Sequence, residues 1–143
     1  MKPKRYIAAA FVCEKLLREK DEVLTAVRIV DTFSIETAQL PPAGGAPVLA
    51  VALLISFKSG EANGEYAVSI TLASPSGKVV ARSPEGTTLL FQGEEKGANI
   101  VANFAVPTTE LGLYWFDVRL EGETMTRVPL KLQAAAVQES LKP

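Results

Sequence analysis

Glu110-Leu111-Gly112-Leu113-Tyr114-Trp115-Phe116-Asp117-Val118 says more about the fold than any other stretch of this sequence. From Tyr114 onward the large apolar residues recur at every second position: Tyr114, Phe116, Val118 and Leu120. Trp115, Asp117 and Arg119 take the positions between them. Successive side chains of a strand point to opposite faces, so the first set faces a core and the second faces outward. A Gly-x-Tyr at the start of a late strand is how many two-sheet β proteins turn the corner into it. Glu121-Gly122-Glu123 then reverses the chain into a partner strand over residues 124–132. Pro129 lacks a backbone N–H, which puts that strand at a sheet edge.

The same alternation runs outward toward the N-terminus. Ile100, Ala102, Phe104 and Val106 form one set; Tyr66, Val68, Ile70 and Leu72 form another. Leu49, Val51, Leu53, Ile55 and Phe57 are the strongest, and Ala50, Ala52 and Leu54 opposite them predict a central strand or one covered on both sides. Shorter strands are expected at residues 79–82 and 87–92. Residues 6–13 read as the first strand. Residues 14–22 are polar around Leu16 and Leu17 and read as a short helical turn or an extended connection. Residues 23–35 read as a second strand, with Val23, Thr25, Val27, Ile29 and Phe33 on one face and Arg28 and Thr32 on the other. Gly, Pro and Asn clusters punctuate the chain: Pro41-Pro42-Ala43-Gly44-Gly45-Ala46-Pro47, Asn63-Gly64, Pro75-Ser76-Gly77-Lys78 and Ser83-Pro84-Glu85-Gly86. Residues 133–143 read as a tail or a short helix over 134–141. With about eight or nine strands and no repeat or domain boundary, the 143 residues predict one all-β domain, a two-sheet antiparallel sandwich of immunoglobulin-like type. A closed barrel with a ligand cavity is the alternative.

Composition narrows the chemistry. Histidine is absent and Cys13 is the single cysteine, which removes intrachain disulfides, His–Cys zinc sites and nucleophile–histidine machinery. The lone thiol suits a reducing compartment, so a cytoplasmic location is expected. The net charge is -1. Residues 1–20 carry six cations against Glu14 and Glu19, a local bias without the aromatic interleaving of a nucleic-acid groove. The apolar run from Tyr6 to Cys13 is short for a signal peptide, and bulky Phe11 and Val12 precede Cys13 where small residues are wanted. No stretch is long enough to span a membrane. Neither nucleic acid nor membrane is an expected partner.

Cys13-Glu14-Lys15, Glu19-Lys20-Asp21 and Val27-Arg28-Ile29-Val30-Asp31 resemble the N-terminal half of a family of small bacterial proteins of unknown function. The resemblance implies a bacterial single-domain β-sandwich, with no activity, cofactor or catalytic residue attached.

Asp31 shares the parity of Val27, Ile29 and Phe33, which predicts a buried carboxylate paired with Arg28, Arg82 or Arg119, or with backbone N–H groups at a bulge. Glu61, Asn63 and Glu65 alternate as in some calcium loops, but the run is too short to supply a full ligand set. Glu94-Glu95 reads as a solvated loop. Cys13 reads as an inert core or rim thiol. Gly44-Gly45 and Ser76-Gly77-Lys78 lack the strand-to-helix context of a phosphate loop. Trp115, with Asp117 and Arg119, is the candidate interaction set, since an outward Trp on a sheet is a typical protein-contact anchor. Coverage of Trp115 by the tail or by residues 14–22 is the structural alternative. The expectation is a non-catalytic protein-interaction or assembly module, without cofactor or metal, forming a homodimer through a sheet face or edge. A small-ligand or carbohydrate binder is the alternative.

Overall fold

The computed structural model describes residues 7–35, 48–58, 62–93 and 97–135. They form ten strands and, among the described residues, no helix. The first sheet has the order β2-β1-β4-β8. Here β1 is Ile7–Arg18, β2 Leu24–Ile29, β4 Val48–Lys58 and β8 Ala98–Pro107. The second has the order β3-β10-β9-β5-β6, with β7 also on β5. Its strands are β3 Thr32–Ile35, β5 Asn63–Ala73, β6 Val79–Arg82, β7 Thr88–Gln92, β9 Gly112–Leu120 and β10 Glu123–Ala134. The 41–47 linker and the helix expected over 134–141 lie mostly or wholly outside the described residues; Ala134 itself ends β10.

The alternating sets face one another across the sandwich. Val51, Leu53, Ile55 and Phe57 of β4 meet Val68, Ile70 and Leu72 of β5, Tyr114, Phe116 and Val118 of β9, and Val128, Leu130 and Leu132 of β10 in one buried cluster. Each such side chain withdrawn from water contributes about 1.5–3 kcal/mol before chain entropy is counted. Phe104 of β8 packs on Phe116 with ring centroids 5.2 Å apart, pinning the two sheets together. The strand of residues 49–57 is central, as its two apolar faces predict, lying between β1 and β8.

Four elements differ from the sequence reading. β10 lies between β3 and β9 and not at the edge that Pro129 predicts; β3 pairs with it only over residues 131–134, past the proline, so no ladder bond is lost on that side. β1 runs on through residues 14–18, and the connection tightens into a hairpin turn in which Glu22 takes φ 70. Residues 23–35 are two strands in two sheets. Arg28 adopts φ 55, β2 ends at Ile29, and the chain crosses over at Val30 and Asp31 to begin β3 on the opposite sheet. β3 then pairs with β10 in parallel, an exception to the otherwise antiparallel pattern. A strand that changes sheets while keeping its direction meets a different neighbour, and here that neighbour runs the same way.

The β8–β9 corner has the geometry expected of Gly-x-Tyr. The Tyr114 hydroxyl lies 2.6 Å from the Glu110 carbonyl and 3.0 Å from that of Pro107, donating back to the loop that precedes its own strand. Gly112 adopts φ 128, and a Cβ there would meet the Pro75 side chain at 3.0 Å. This tyrosine corner, the two sheets and the switch of sheets between β2 and β3 make the domain an immunoglobulin-like β-sandwich.

Candidate functional site

The candidate interaction residues lie together on the outer face of the second sheet. Register fixes the arrangement: Ala73, Trp115 and Pro129 form one row across β5, β9 and β10; Thr71, Asp117 and Arg127 form the next; Ser69, Arg119 and Thr124 form the third. Trp115 is partly buried at the floor of a shallow hollow of about 410 Å³ that also takes in Val79, Asp117, Arg119 and Arg127. The Arg127 guanidinium sits 4.7 Å from the Trp115 ring centre, a cation–π contact that holds both side chains. Arg119 Nε donates to Asp117 Oδ2 at 2.8 Å. The other oxygen, Asp117 Oδ1, is buried and has no hydrogen-bond partner among the described residues. An acceptor in that position is costly unless a donor reaches it.

Arg127 is the residue that sequence reading missed. The two-residue turn at Glu121-Gly122 pairs Leu120 with Glu123, and an uninterrupted ladder would carry Arg127 to Phe116 on the core face. A register shift between Thr124 and Thr126 moves Arg127 opposite Asp117 and returns Val128 to the core. The signal was available: the apolar set Val128, Leu130 and Leu132 has the wrong parity for an unbroken hairpin with Phe116 and Val118.

The buried-carboxylate expectation is corrected. Asp31 is exposed at the sheet crossover; its carboxylate accepts from Thr32 Oγ1 at 3.2 Å and its backbone carbonyl from Lys131 N at 2.8 Å. Arg28 is also exposed and pairs with Glu14 at 2.7 Å, not with Asp31. The left-handed Arg28 and the crossover break the alternation on which the parity of Asp31 depended. Coverage of Trp115 by residues 14–22 is corrected as well, because β1 and β2 belong to the other sheet. The tail expected over 133–143 starts as the end of β10, with Gln133 and Ala134 paired to Ser34 and Ile35 of β3; its remainder over 136–143, and Glu61, Glu94 and Glu95, lie outside the described residues.

Cys13 is buried, its thiol 3.7 Å from the Ala52 carbonyl, and burial raises its pKa. Among the described residues no three acidic or thiol side chains converge as a cation site requires. The outer face of the first sheet is more apolar, with Phe11 opposite Leu54, Leu54 opposite Val101, and Ile29 60% exposed.

Residues 8–133 match the Family of unknown function (DUF6941). The chain belongs to the DUF6941 family. The match takes in every residue of the Trp115 hollow, so this face is part of the DUF6941 domain itself. No curated protein matches the chain. Among solved structures, an immunoglobulin-like protein from Pseudomonas aeruginosa is similar over 92% of this chain and 94% of its own, at 8% identity and a TM-score of 0.43.

Proposed function

We propose that this DUF6941 domain is a non-catalytic protein-interaction module of the cytoplasm, docking a partner protein on the outer face of its second sheet. The observation that carries the reading is the Trp115–Arg127 stack beside the unpartnered Asp117 Oδ1. Trp and Arg are the residue types that dominate binding energy at protein interfaces, and they act best where neighbouring contacts exclude water. A partner laid over the hollow would complete the desolvation of Trp115 and of the Arg127 guanidinium stacked on it. The single buried thiol fits a reducing compartment. Trp115→Ala tests the reading: it should abolish capture of the partner by the tagged chain while the fold is retained. A carbohydrate binder would use the same ring as a platform, but Arg127 already lies over it. Quenching of Trp115 fluorescence by members of a glycan panel would favour that second reading.

A further inference from the structure

We infer that the partner segment recognised by this face is an acidic stretch of polypeptide. The inference rests on the docking reading above and adds the chemistry of the occupant. Around Trp115 the outer face carries Arg82 opposite Thr71, Arg119, Arg127, and Lys131 opposite Leu113. Asp117 is the one carboxylate in the Trp115, Asp117 and Arg119 rows, and Arg119 holds it; Glu121, just past the end of β9, is the next on this face and accepts from Ala67 N at 2.6 Å. Arg82, Arg127 and Lys131 have no carboxylate partner among the described residues, although the chain as a whole has a net charge of -1. The face is therefore locally basic on a slightly acidic protein, a difference of sign that steers an acidic partner to this surface. Arg127 is pre-organised by its stack on Trp115, which directs a planar donor fork to a carboxylate at reduced entropic cost.

A single-stranded nucleic acid is the other polyanion such a face could attract, but it needs a series of aromatic stacking platforms, and the outer rows hold one ring, Trp115, already covered by Arg127.

The test is fluorescence anisotropy with a labelled peptide of alternating Glu and Thr, against a Lys–Thr peptide and a single-stranded oligodeoxynucleotide. The acidic peptide should bind alone. Raising salt from about 0.1 M to about 1 M shortens the Debye length from ~10 Å to ~3 Å and should weaken binding about tenfold or more. Arg127→Glu should cost about tenfold at low salt, and Lys131→Glu should repeat the loss if Arg127→Glu disturbs the fold. Arg18→Glu, on the exposed β1–β2 hairpin of the other sheet, should leave binding within about twofold. Equal loss in Arg18→Glu would overturn the inference, as would equal binding of the oligonucleotide or the Lys–Thr peptide. Light scattering that shows a homodimer dissociated by Arg127→Glu would overturn it too, making a second copy the occupant. Failure of the acidic peptide while Trp115→Ala still abolishes partner capture would overturn the acidic chemistry and leave the docking face standing.

Discussion

Replacing Tyr114 by Phe removes one hydroxyl and leaves the aromatic ring, which is 1% exposed, where it is. The hydroxyl has one proton and two carbonyls to serve, Glu110 O at 2.6 Å and Pro107 O at 3.0 Å. An ordinary hydrogen bond contributes about 0.5–1.5 kcal/mol net, and an acceptor left buried without a donor costs about 1–3 kcal/mol. Glu110 is only partly buried, so water can recover some of that loss, and the expected destabilisation is about 2 kcal/mol. Urea unfolding followed by circular dichroism reads this directly. With a slope of about 2 kcal/mol per M, the midpoint should fall by about 1 M at unchanged slope. Burial, and to a lesser degree the Glu110 carboxylate, raises the Tyr114 pKa above 10.0. A phenol raised in the folded state contributes fully below the unfolded value and loses that contribution as pH rises through the folded one. The wild type should therefore lose stability above about pH 10, and Tyr114→Phe should lose less over the same range. A midpoint shift below about 0.3 M would refute the tyrosine corner as a stabilising device.

Burial also raises the Cys13 pKa above 9.0, so the native thiol should resist a thiol-specific reagent at neutral pH and react only on unfolding; its contribution to stability should be lost as pH rises through the folded value. Immediate reaction in native buffer would contradict its burial. Asp31→Ala should change unfolding free energy by no more than about 0.5 kcal/mol, because the crossover is held by the Asp31 backbone carbonyl and the carboxylate is solvated. A loss above about 2 kcal/mol would restore a buried role. Gly112→Ala should cost about 1–3 kcal/mol from its positive φ and the Pro75 contact, read from the same urea melts.

What the sequence revealed follows the limits of strand parity. Where a strand is uninterrupted, as in β4, β5 and β9, alternation identified the core face and placed Trp115, Asp117 and Arg119 together outside it. The Gly112-x-Tyr114 corner was legible because it is local chemistry. Parity failed at two points where the backbone adds or redirects a residue. Left-handed Arg28 and the sheet crossover turned Asp31 to solvent, and the shift between Thr124 and Thr126 brought Arg127 over Trp115. Neither residue type announces such a conformation, since left-handed Arg is uncommon and the bulge contains no glycine. The pairing of β3 with β10 depends on contacts almost a hundred residues apart, Gln133 with Ser34 among them at |i−j| 99, which no local pattern encodes.

The docking face is tested most directly by the dissociation constant of the captured partner measured on wild type and Trp115→Ala side by side. Loss of an interface anchor should weaken binding by about 2 kcal/mol or more, roughly thirtyfold, with both proteins folded in the same buffer. Equal dissociation constants would contradict the account and remove Trp115 from the binding surface.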